Sequence, residues 1–353
     1  MLENPPVKKI VDGLDRFVYS ELLTSQSQTP LNLLHHYVEI VEKELAQLPL
    51  PAQPASLYDP QRFILKNGGK RIRPVFTLLS CGLCGGNYKD ALPAALAVEL
   101  LHNFTLMHDD IMDQAQSRRG KPAVHIKWNM STAILAGDGL FTQSMLCLQK
   151  LNEPVDHKEI SGVFLEAINH VCEGQAMDME FETRQDVSTE EYLEMISGKT
   201  GALISASMEM GGMVAGADQK TRLLLRELGE TLGYAFQIQD DWLDVVADPD
   251  KFGKKVAGDI VEGKKTFLMT LSLDTCNKED KKWLLTCLNN KPLDDSLVRK
   301  VIALYKKLGV IEETEKRIDG YYNRAEKILE KFGESDYKRD LNNLIKTLKT
   351  REY

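Results

Sequence analysis

Residues 101–120 read LHNFTLMHDDIMDQAQSRRG and join an apolar helical pattern to a dense group of charges. Three carboxylates end the helical pattern, those of Asp109, Asp110 and Asp113. Residues four apart lie on nearly the same helix face, so Asp109 and Asp113 point in one direction. Neighbouring aspartates repel one another, which is costly inside an apolar bundle unless cations neutralise them. The stretch therefore predicts a packed helix that ends in a cation-binding acidic cluster.

A second acidic cluster has nearly the same spacing. Residues 237–244 read QIQDDWLD and place Asp240, Asp241 and Asp244 on another apolar helical pattern. Either cluster alone would also fit a solvated acidic helix end. Magnesium, however, prefers oxygen ligands and commonly lies between carboxylates and substrate phosphates. Two such clusters facing each other across a cavity predict a site for two or three magnesium ions and one diphosphate.

Basic residues accompany both clusters. A predicted helix end is followed by GGKRIRP (68–74), the first cluster by Arg118 and Arg119, and the second by GKKVAGDIVEGKKT (253–266). Taken singly, each cation fits an ordinary surface position. Together they divide into two diphosphate-binding sets, because Arg binds phosphate oxygens as a fork and Lys as a point charge. The set without metal comprises Lys70, Arg73, His102 and Arg119. The set that shares its diphosphate with magnesium comprises Arg118, Lys199, Lys254 and Lys264.

Composition and charge exclude several functional classes. The chain has 353 residues and a formal net charge of −8, which disfavours a nucleic-acid or anionic-membrane surface. The most apolar window, 91–107, is interrupted by Glu99 and His102 and is too short and too polar to span a bilayer. No apolar signal-peptide region opens the chain, and the cysteines lack a second CxxC pair. We therefore expect a cytoplasmic protein with reduced thiols, no nucleic-acid partner and no stable membrane insertion.

Apolar spacing predicts an all-α fold. Throughout most of the chain the apolar residues repeat at helical spacing, and hardly any stretch alternates like a strand. We expect about a dozen helices packed as a large bundle around a central cavity. Residues 1–29 form a predicted N-terminal arm, and residues 30–353 form a single domain. Asp90 is the predicted N-cap of the helix that carries the first cluster, and Ser131 or Thr132 is the predicted cap of the next helix.

The motifs taken together resemble one protein family. The chain is similar to trans-isoprenyl diphosphate synthases, the polyprenyl synthetases, in its GGKRIRP, HDDIMD with the following RRG, KTG at Lys199, QIQDDWLD, GKKVAGD and EGKKT segments. Among these enzymes it looks most like the short-chain geranylgeranyl diphosphate synthases. The resemblance implies the isoprenoid synthase fold, a homodimer and magnesium dependence. It also implies the activity, which joins an allylic diphosphate to isopentenyl diphosphate.

The resemblance assigns roles to individual residues. The implied metal ligands are Asp109, Asp113, Asp240 and Asp244. The implied allylic diphosphate ligands are Arg118, Lys199, Thr200, Gln237, Lys264 and either Lys254 or Lys255. Isopentenyl diphosphate would be bound by Lys70, Arg73, His102 and Arg119. The catalytic groups would be Arg118 and three oxygens that shield an allylic carbocation, those of the Lys199 carbonyl, the Thr200 hydroxyl and the Gln237 amide. The basic C-terminal tail of some members is reduced here to Lys349 and Arg351, which argues against a tail contribution to the isopentenyl diphosphate site.

Product length is predicted from the residues just before the first cluster. Phe104 lies five residues before Asp109 and would form the floor of the pocket for the growing tail. Farnesyl diphosphate synthases often carry a second bulky residue at the position of Thr105, or an insertion within the cluster, and this chain has neither. The resemblance therefore implies geranylgeranyl diphosphate (C20), with farnesyl diphosphate (C15) as the alternative. Plain core packing would also explain Phe104.

Two other functions remain as alternatives at this point. A terpene cyclase of the same fold usually replaces the second cluster with an Asn/Ser/Glu motif and lacks the set for isopentenyl diphosphate. A non-catalytic subunit of a heteromeric synthase generally has eroded acidic clusters. Both clusters are whole here, and GGKRIRP is present, so a synthase is favoured.

Overall fold

The computed structural model describes residues 30–247 and 257–351, and these residues are almost entirely helical. The helices are α1 (Pro30–Ala46), α2 (Ala55–Leu65), α3 (Ile72–Leu83), α4 (Leu92–Met112), α5 (Val124–Lys127), α6 (Met130–Leu148), α7 (His157–Phe181), α8 (Thr189–Ile196), α9 (Ala202–Val214), α10 (Gln219–Val246), α11 (Gly258–Glu262), α12 (Phe267–Thr275), α13 (Lys278–Asn289), α14 (Asp295–Leu308), α15 (Val310–Glu330) and α16 (Asp336–Lys349). A short antiparallel hairpin pairs β1 (Ser117–Arg118) with β2 (Lys121–Pro122). The predicted N-terminal arm, 1–29, and Lys254 lie outside the described residues.

The described residues are almost entirely helical, which confirms the all-α prediction. Their helices enclose two hydrophobic cores. Helix α4 runs through the larger core, where Leu100 and Leu101 are fully buried, and it packs against α6. Helix α9 packs against α3 and α10, and α10 packs in turn against α15. The smaller core joins α11 to α14 around Leu268 and Val301. Burying each large side chain contributes about 1.5–3 kcal/mol, so α4 and α10, which carry the acidic clusters, are held in place mainly by the larger core.

Two predicted helix caps are wrong. Asp90 lies inside a 3-10 turn, Tyr88–Ala91, which the side chain of Asn87 caps instead. Helix α6 is capped by Asn129, whose side chain accepts from the Thr132 N–H. Both asparagines have extended backbones, so their side chains can turn back to the first helical N–H groups, whereas a residue already inside the turn cannot.

Among residues 30–247 and 257–351, no helix is both long and apolar enough to cross a bilayer.

A widened turn joins α8 to α9. Residues Ser197–Gly201 form a π-helical turn, so α8, the turn and α9 form one continuous helical segment. The turn carries Lys199 and Thr200. Short π-helical segments are rare and occur often at functional sites, and this one lies between α7 and α10.

Glycines on α7 and α10 permit the close approach of both helices to this turn. A Cβ atom on Gly174 would lie 2.2 Å from the backbone nitrogen of Lys199, and one on Gly233 would lie 2.5 Å from the Cα atom of Gly201. Real Cβ atoms essentially never come within 3.0 Å of such neighbours. Only glycine therefore allows these contacts, which bring the side chains around the turn within reach of those on α7 and α10.

Gly233→Ala is expected to lower the free energy of unfolding by about 1–3 kcal/mol, because the added methyl group would collide with backbone. Gly320→Ala is the matched control, since a Cβ atom there, within α15, meets nothing within 4 Å. Alanine in an open helical position is favoured over glycine by about 1 kcal/mol. Thermal and urea unfolding of both variants should therefore give changes of opposite sign. A Gly233→Ala protein as stable as Gly320→Ala would contradict the close packing.

Candidate active site

The first acidic cluster lies at the C-terminal end of α4. Asp109 occupies its last turn, and Asp113 is the residue that ends it. Asp110 points inward, is buried, and its Oδ1 accepts from Arg118 Nε at 2.7 Å and lies 2.6 Å from Arg118 Nη2. The β1–β2 hairpin thus folds Arg118 back onto the cluster. Within the described part of the chain, the Oδ2 atom of Asp110 is buried and has no hydrogen-bond partner.

The second acidic cluster lies in the last turns of α10. Asp240 Oδ1 is 2.5 Å from Nη2 of Arg351. Asp241 is buried and accepts from the Tyr192 hydroxyl, from the Phe267 N–H at 2.8 Å and from Gln237 Nε2 at 3.2 Å. Asp244 instead accepts from two backbone N–H groups at the start of α11, those of Gly258 at 3.2 Å and Asp259 at 3.1 Å.

The electrostatics of the two clusters favour added cations. Burial raises the pKa of Asp109 and of Asp240. Burial and the charge of Asp259 raise the pKa of Asp241 to about 7 and that of Asp244 to about 6. A cation bound nearby would reverse these shifts, because opposite charge favours the ionised carboxylate. The carboxylates and the unpartnered Asp110 oxygen therefore suit divalent cations, the hard ions that prefer oxygen ligands.

The side chains of the two described acidic clusters supply only part of a metal ion's ligands. Among the described residues, no group of three or more His, Cys, Asp or Glu side chains is arranged to hold an ion by itself. Magnesium typically binds one or two carboxylates and takes its remaining ligands from water and substrate phosphates. The arrangement therefore fits ions that are bound together with a diphosphate.

The π-helical turn connects the two clusters through adjacent residues. Lys199 Nζ pairs with the carboxylate of Asp178 on α7, and both charges act on Asp109 in the first cluster. Thr200, the next residue, donates its hydroxyl to Gln237 Oε1 at 2.8 Å. Gln237 in turn donates to Asp241 of the second cluster. One turn of helix thus carries a cation whose charge acts on the first cluster and a hydroxyl that is linked through Gln237 to the second.

Two further acidic residues lie at the site: Asp178, which the sequence analysis missed, and Asp259, which lies in the GKKVAGD motif but was given no role. Asp178 lies one turn after Gly174, and no local motif of charges marks it. Asp259 lies between the second cluster and Lys264, whose Nζ is 3.6 Å from Asp259 Oδ1 and 3.2 Å from Glu262 Oε2. These acids raise the pKa of Lys264 despite its burial. Lys264 is therefore placed beside the second cluster, as its predicted role requires.

The basic set predicted to act without metal is brought together at the start of α3. The GGKRIRP segment, residues 68–74, forms a basic loop that runs into the first turn of α3. Arg73 Nη1 lies 3.3 Å from His102 Nε2, and Arg119 donates to the Gly68 carbonyl at the start of this basic loop. Burial and the guanidinium groups of Arg73 and Arg119 hold the pKa of His102 well below its ordinary value, so the ring is neutral. Among the described residues, Arg73 Nε is buried and unpartnered. A buried guanidinium with an N–H donor that has no acceptor favours the binding of an anion.

Arg71 holds this basic loop in place. It has a left-handed backbone (φ 49°), and its buried guanidinium pairs with Glu42 at 2.7 Å and with Glu99 at 2.5 Å. It also donates to the Leu65 carbonyl at 2.7 Å. Glu99 comes from α4, so the basic loop, with Lys70 just before α3 and Arg73 in its first turn, is fixed to the helix that carries His102 and the first cluster.

Arg351, near the C-terminus, reaches the second cluster. Besides Asp240, it contacts the Gln239 side chain at 3.1 Å and the Phe236 carbonyl at 2.9 Å, and its guanidinium lies 4.0 Å above the Phe236 ring. Burial and the charge of Arg351 lower the pKa of Lys70, and the charge of Asp240 partly opposes this shift. The sequence analysis discounted the tail because few basic residues remain there. A single arginine nevertheless pairs with the second cluster, and its charge acts on Lys70.

Phe104 packs within a group of aromatic rings on the side of α4 that faces α6. Its ring centroid lies 5.8 Å from that of Phe141 and 4.6 Å from that of His108. A Cβ atom on Gly137 of α6 would collide with His108 and would lie 3.4 Å from Phe104. The rings therefore close the space between α4 and α6 about one turn below the first cluster.

Comparisons with known proteins place these features in a family. A family model described as polyprenyl synthetase matches residues 54–305. A short chain isoprenyl diphosphate synthase of Methanothermobacter thermautotrophicus is 36% identical over 323 residues, which are 92% of this chain and 99% of that protein. A geranylfarnesyl diphosphate synthase of Aeropyrum pernix is 36% identical over 80% of this chain and 90% of its own length. The crystal structure of geranylgeranyl pyrophosphate synthetase from Pyrococcus horikoshii Ot3 superposes with a TM-score of 0.87 at 37% identity, covering 91% of this chain and 98% of that one.

Proposed function

Because this chain belongs to the polyprenyl synthetase family and is a short-chain trans-prenyltransferase, we propose that it condenses isopentenyl diphosphate with allylic diphosphates and stops at geranylgeranyl diphosphate (C20). Its substrates are isoprenoid diphosphates, and its family uses divalent metal ions. We propose magnesium, with two or three ions in each site. The observation that carries the proposal is the π-helical turn: the charge of Lys199 acts on Asp109 of the first cluster, and Thr200 is linked through Gln237 to Asp241 of the second.

The metal ions would be held by the exposed edges of both clusters. The proposed ligands are Asp109, Asp113, Asp240 and Asp244. The raised pKa values of Asp109, Asp240 and Asp244, together with the small number of protein ligands that Mg²⁺ requires, support ions that arrive with the diphosphate. Once bound, the ions stabilise the charge of the departing diphosphate.

The chain's own cations would bind the allylic diphosphate beside these ions. The proposed ligands are Arg118, Lys199, Lys254 and Lys264. The C–O bond then ionises, and the carbocation forms next to oxygens of the π-helical turn and α10, namely the Lys199 carbonyl, the Thr200 hydroxyl and the Gln237 amide. The alkene of isopentenyl diphosphate attacks carbon 1, and the departed diphosphate takes the proton that is lost. The buried helical surroundings exclude water, which would otherwise quench the cation.

Isopentenyl diphosphate would occupy the basic loop. The proposed ligands are Lys70, Arg73, His102 and Arg119. The unpartnered Arg73 Nε atom and the neutral His102 ring support this assignment, since together they offer donors to an anion that brings its own charge. Arg351 lies near Lys70 and could reach the same diphosphate if it left Asp240.

Phe104→Ala is expected to shift the main product from C20 to C25 or longer, because it removes the proposed floor of the tail pocket. Phe332→Ala is the control, since it removes a buried ring just after α15 and away from the aromatic group. Chromatography of the products from isopentenyl diphosphate and farnesyl diphosphate measures the change. A C20 limit that persists in Phe104→Ala would show that another residue closes the pocket.

We further propose a cytoplasmic homodimer. Exposed apolar side chains along α6 and the neighbouring part of α7 support this arrangement: Met130, Ile134, Leu135, Leu146 and Leu165. Contiguous apolar surface of this kind commonly marks an interface. Light scattering of the wild-type protein and of Leu135→Lys tests it, with a mass near twice the chain mass expected only for the wild type. The six unpaired cysteines suit a reducing compartment.

One assay tests the proposed reaction and its alternatives. The purified protein is incubated with magnesium, isopentenyl diphosphate and labelled dimethylallyl, geranyl or farnesyl diphosphate. Chain extension to C20 is expected, and a C15 limit would instead support the farnesyl diphosphate alternative. Cyclic hydrocarbon products without extension would indicate a terpene cyclase. Extension only after a partner subunit is added would indicate the heteromeric alternative.

A further inference from the structure

Gln237 is held between two different hydrogen-bonding groups. Its Oε1 atom accepts from the Thr200 hydroxyl at 2.8 Å, and its Nε2 atom donates to Asp241 Oδ1 at 3.2 Å. An amide can be turned end for end with little change of shape, so its orientation depends on its partners. A carboxylate only accepts, and Asp241 therefore requires the nitrogen of the amide on its own side.

Asp241 is itself held firmly. Its Oδ2 atom accepts from the buried hydroxyl of Tyr192 and from the Phe267 N–H at 2.8 Å, so the carboxylate is fixed by α8 and α12. It is 4% exposed, and the exposed edges of this cluster belong to Asp240 and Asp244. Asp241 is therefore the member of its cluster that faces protein and is turned away from any bound ion.

We propose that Asp241, supported by Tyr192, is a positioning residue that sets the orientation of the Gln237 amide and thereby directs only oxygen atoms toward the allylic carbocation. This inference rests on the proposed function. With the nitrogen turned to Asp241, the amide oxygen lies beside the Thr200 oxygen, and both present negative partial charge. The reversed amide would present N–H groups instead and would destabilise a cation formed there.

Asp241→Asn reverses this arrangement with almost no change of shape. The two fixed donors, Tyr192 and Phe267 N–H, require an oxygen at one position, so the new amide nitrogen must occupy the position that faces Gln237. Two NH₂ groups would then face each other. Gln237 is expected to rotate, accept from Asn at position 241 through its oxygen, and turn its nitrogen toward Thr200 and the carbocation.

The expected effects on kcat and KM depend on the step of the reaction in which the carbocation forms. Asp241→Asn is expected to lower kcat about 10- to 100-fold and to leave KM for the allylic diphosphate within about threefold, since the shielding acts in the transition state. Assays are run above the pKa of Asp241, which burial raises to about 7. The thermal shift produced by magnesium with inorganic diphosphate should match that of the wild type, because the diphosphate ligands are unchanged.

A second substitution should rescue the first. Gln237→Glu in the Asp241→Asn background supplies a carboxylate that accepts from the new amide nitrogen and still presents its other oxygen to the carbocation. The double variant is expected to be at least about threefold faster than Asp241→Asn, a coupling that only directly interacting residues show. Gln237→Glu alone should be slower than the wild type, because it places a second carboxylate against Asp241.

Tyr37 and Asp340 provide the matched control. They form another buried pair of tyrosine hydroxyl and carboxylate, at 3.4 Å, between α1 and α16. Tyr37→Phe and Asp340→Asn are expected to change stability but not kcat. Tyr192→Phe, which keeps the Asp241 carboxylate and removes one of its donors, should lower kcat about 3- to 10-fold and decides the question if Asp241→Asn does not fold.

The outcomes separate this inference from the proposed function. A wild-type protein without chain extension would overturn the proposed function itself. An active wild type with Asp241→Asn and Tyr192→Phe no slower than Tyr37→Phe would overturn only the positioning role. A double variant slower than Asp241→Asn, or a lost thermal shift with magnesium and diphosphate in Asp241→Asn, would also overturn it, since Asp241 would then act through packing or through metal binding.

Discussion

Asp109→Asn is expected to lower kcat/KM by about 1,000-fold or more while leaving the metal-free protein at least as stable as the wild type. The two effects have one cause. Burial and the nearby Asp113 raise the pKa of Asp109, so its charge destabilises the fold when no cation is bound. The same charge is needed to bind metal ions once the diphosphate is present. Losing several kcal/mol of transition-state stabilisation corresponds to the expected loss in kcat/KM.

The measurement combines kinetics with thermal unfolding. The melting temperature of Asp109→Asn should rise little when magnesium and inorganic diphosphate are added, in contrast to the wild type. Asp90→Asn is the control, because Asp90 is an exposed aspartate just before the same helix. It should leave both the rate and the thermal shift unchanged. A wild-type thermal shift in Asp109→Asn would show that this carboxylate is not a metal ligand.

Arg71→Met is expected to lower the free energy of unfolding by about 3–5 kcal/mol, because it leaves Glu99 buried without its cation. Both side chains of this pair are almost completely inaccessible, at 0% and 2% exposure. The basic loop should also lose its position, so KM for isopentenyl diphosphate is expected to rise more than KM for the allylic substrate. Urea unfolding and separate KM measurements check the two parts.

The matched comparison is an exposed ion pair of the same types. Arg339→Met removes a surface arginine that lies 2.9 Å from Asp336, and such pairs contribute less than about 1 kcal/mol. Removing both buried charges in Arg71→Met/Glu99→Leu should recover part of the lost stability, since no uncompensated carboxylate remains. An Arg71→Met protein as stable as Arg339→Met would rule out a structural role for Arg71.

Much of this site could be predicted from short sequence patterns, because its charges occur in groups on helices of strong apolar periodicity. Helix α10 shows this best, since the apolar pattern around QIQDDWLD predicts a helix there and the second cluster lies in the last turns of the observed helix, Gln219–Val246. The basic loop was also recognisable, because Lys70 and Arg73 lie within a few residues of each other. Local pattern was sufficient wherever the functional side chains share one element.

Partners that come from distant parts of the chain were missed for a physical reason. Asp178 becomes a partner of Lys199 only because Gly174 lets α7 approach the π-helical turn, and nothing in the residues next to Asp178 reports that contact. The wrong cap at Asp90 has a different origin. A cap depends on the backbone angles of a single residue, and Asn87, three positions earlier, is the residue with the extended conformation.

The contact between Arg351 and Asp240 has a practical consequence for handling the protein. Only two residues would separate a tag or fusion partner attached after Tyr353 from Arg351, whose side chain pairs with the second acidic cluster. A histidine tag there would add metal-binding imidazoles close to carboxylates proposed to bind magnesium. Purification and immobilisation should therefore use a removable tag at the opposite end, and constants measured with a C-terminal fusion should be compared with those of the cleaved protein.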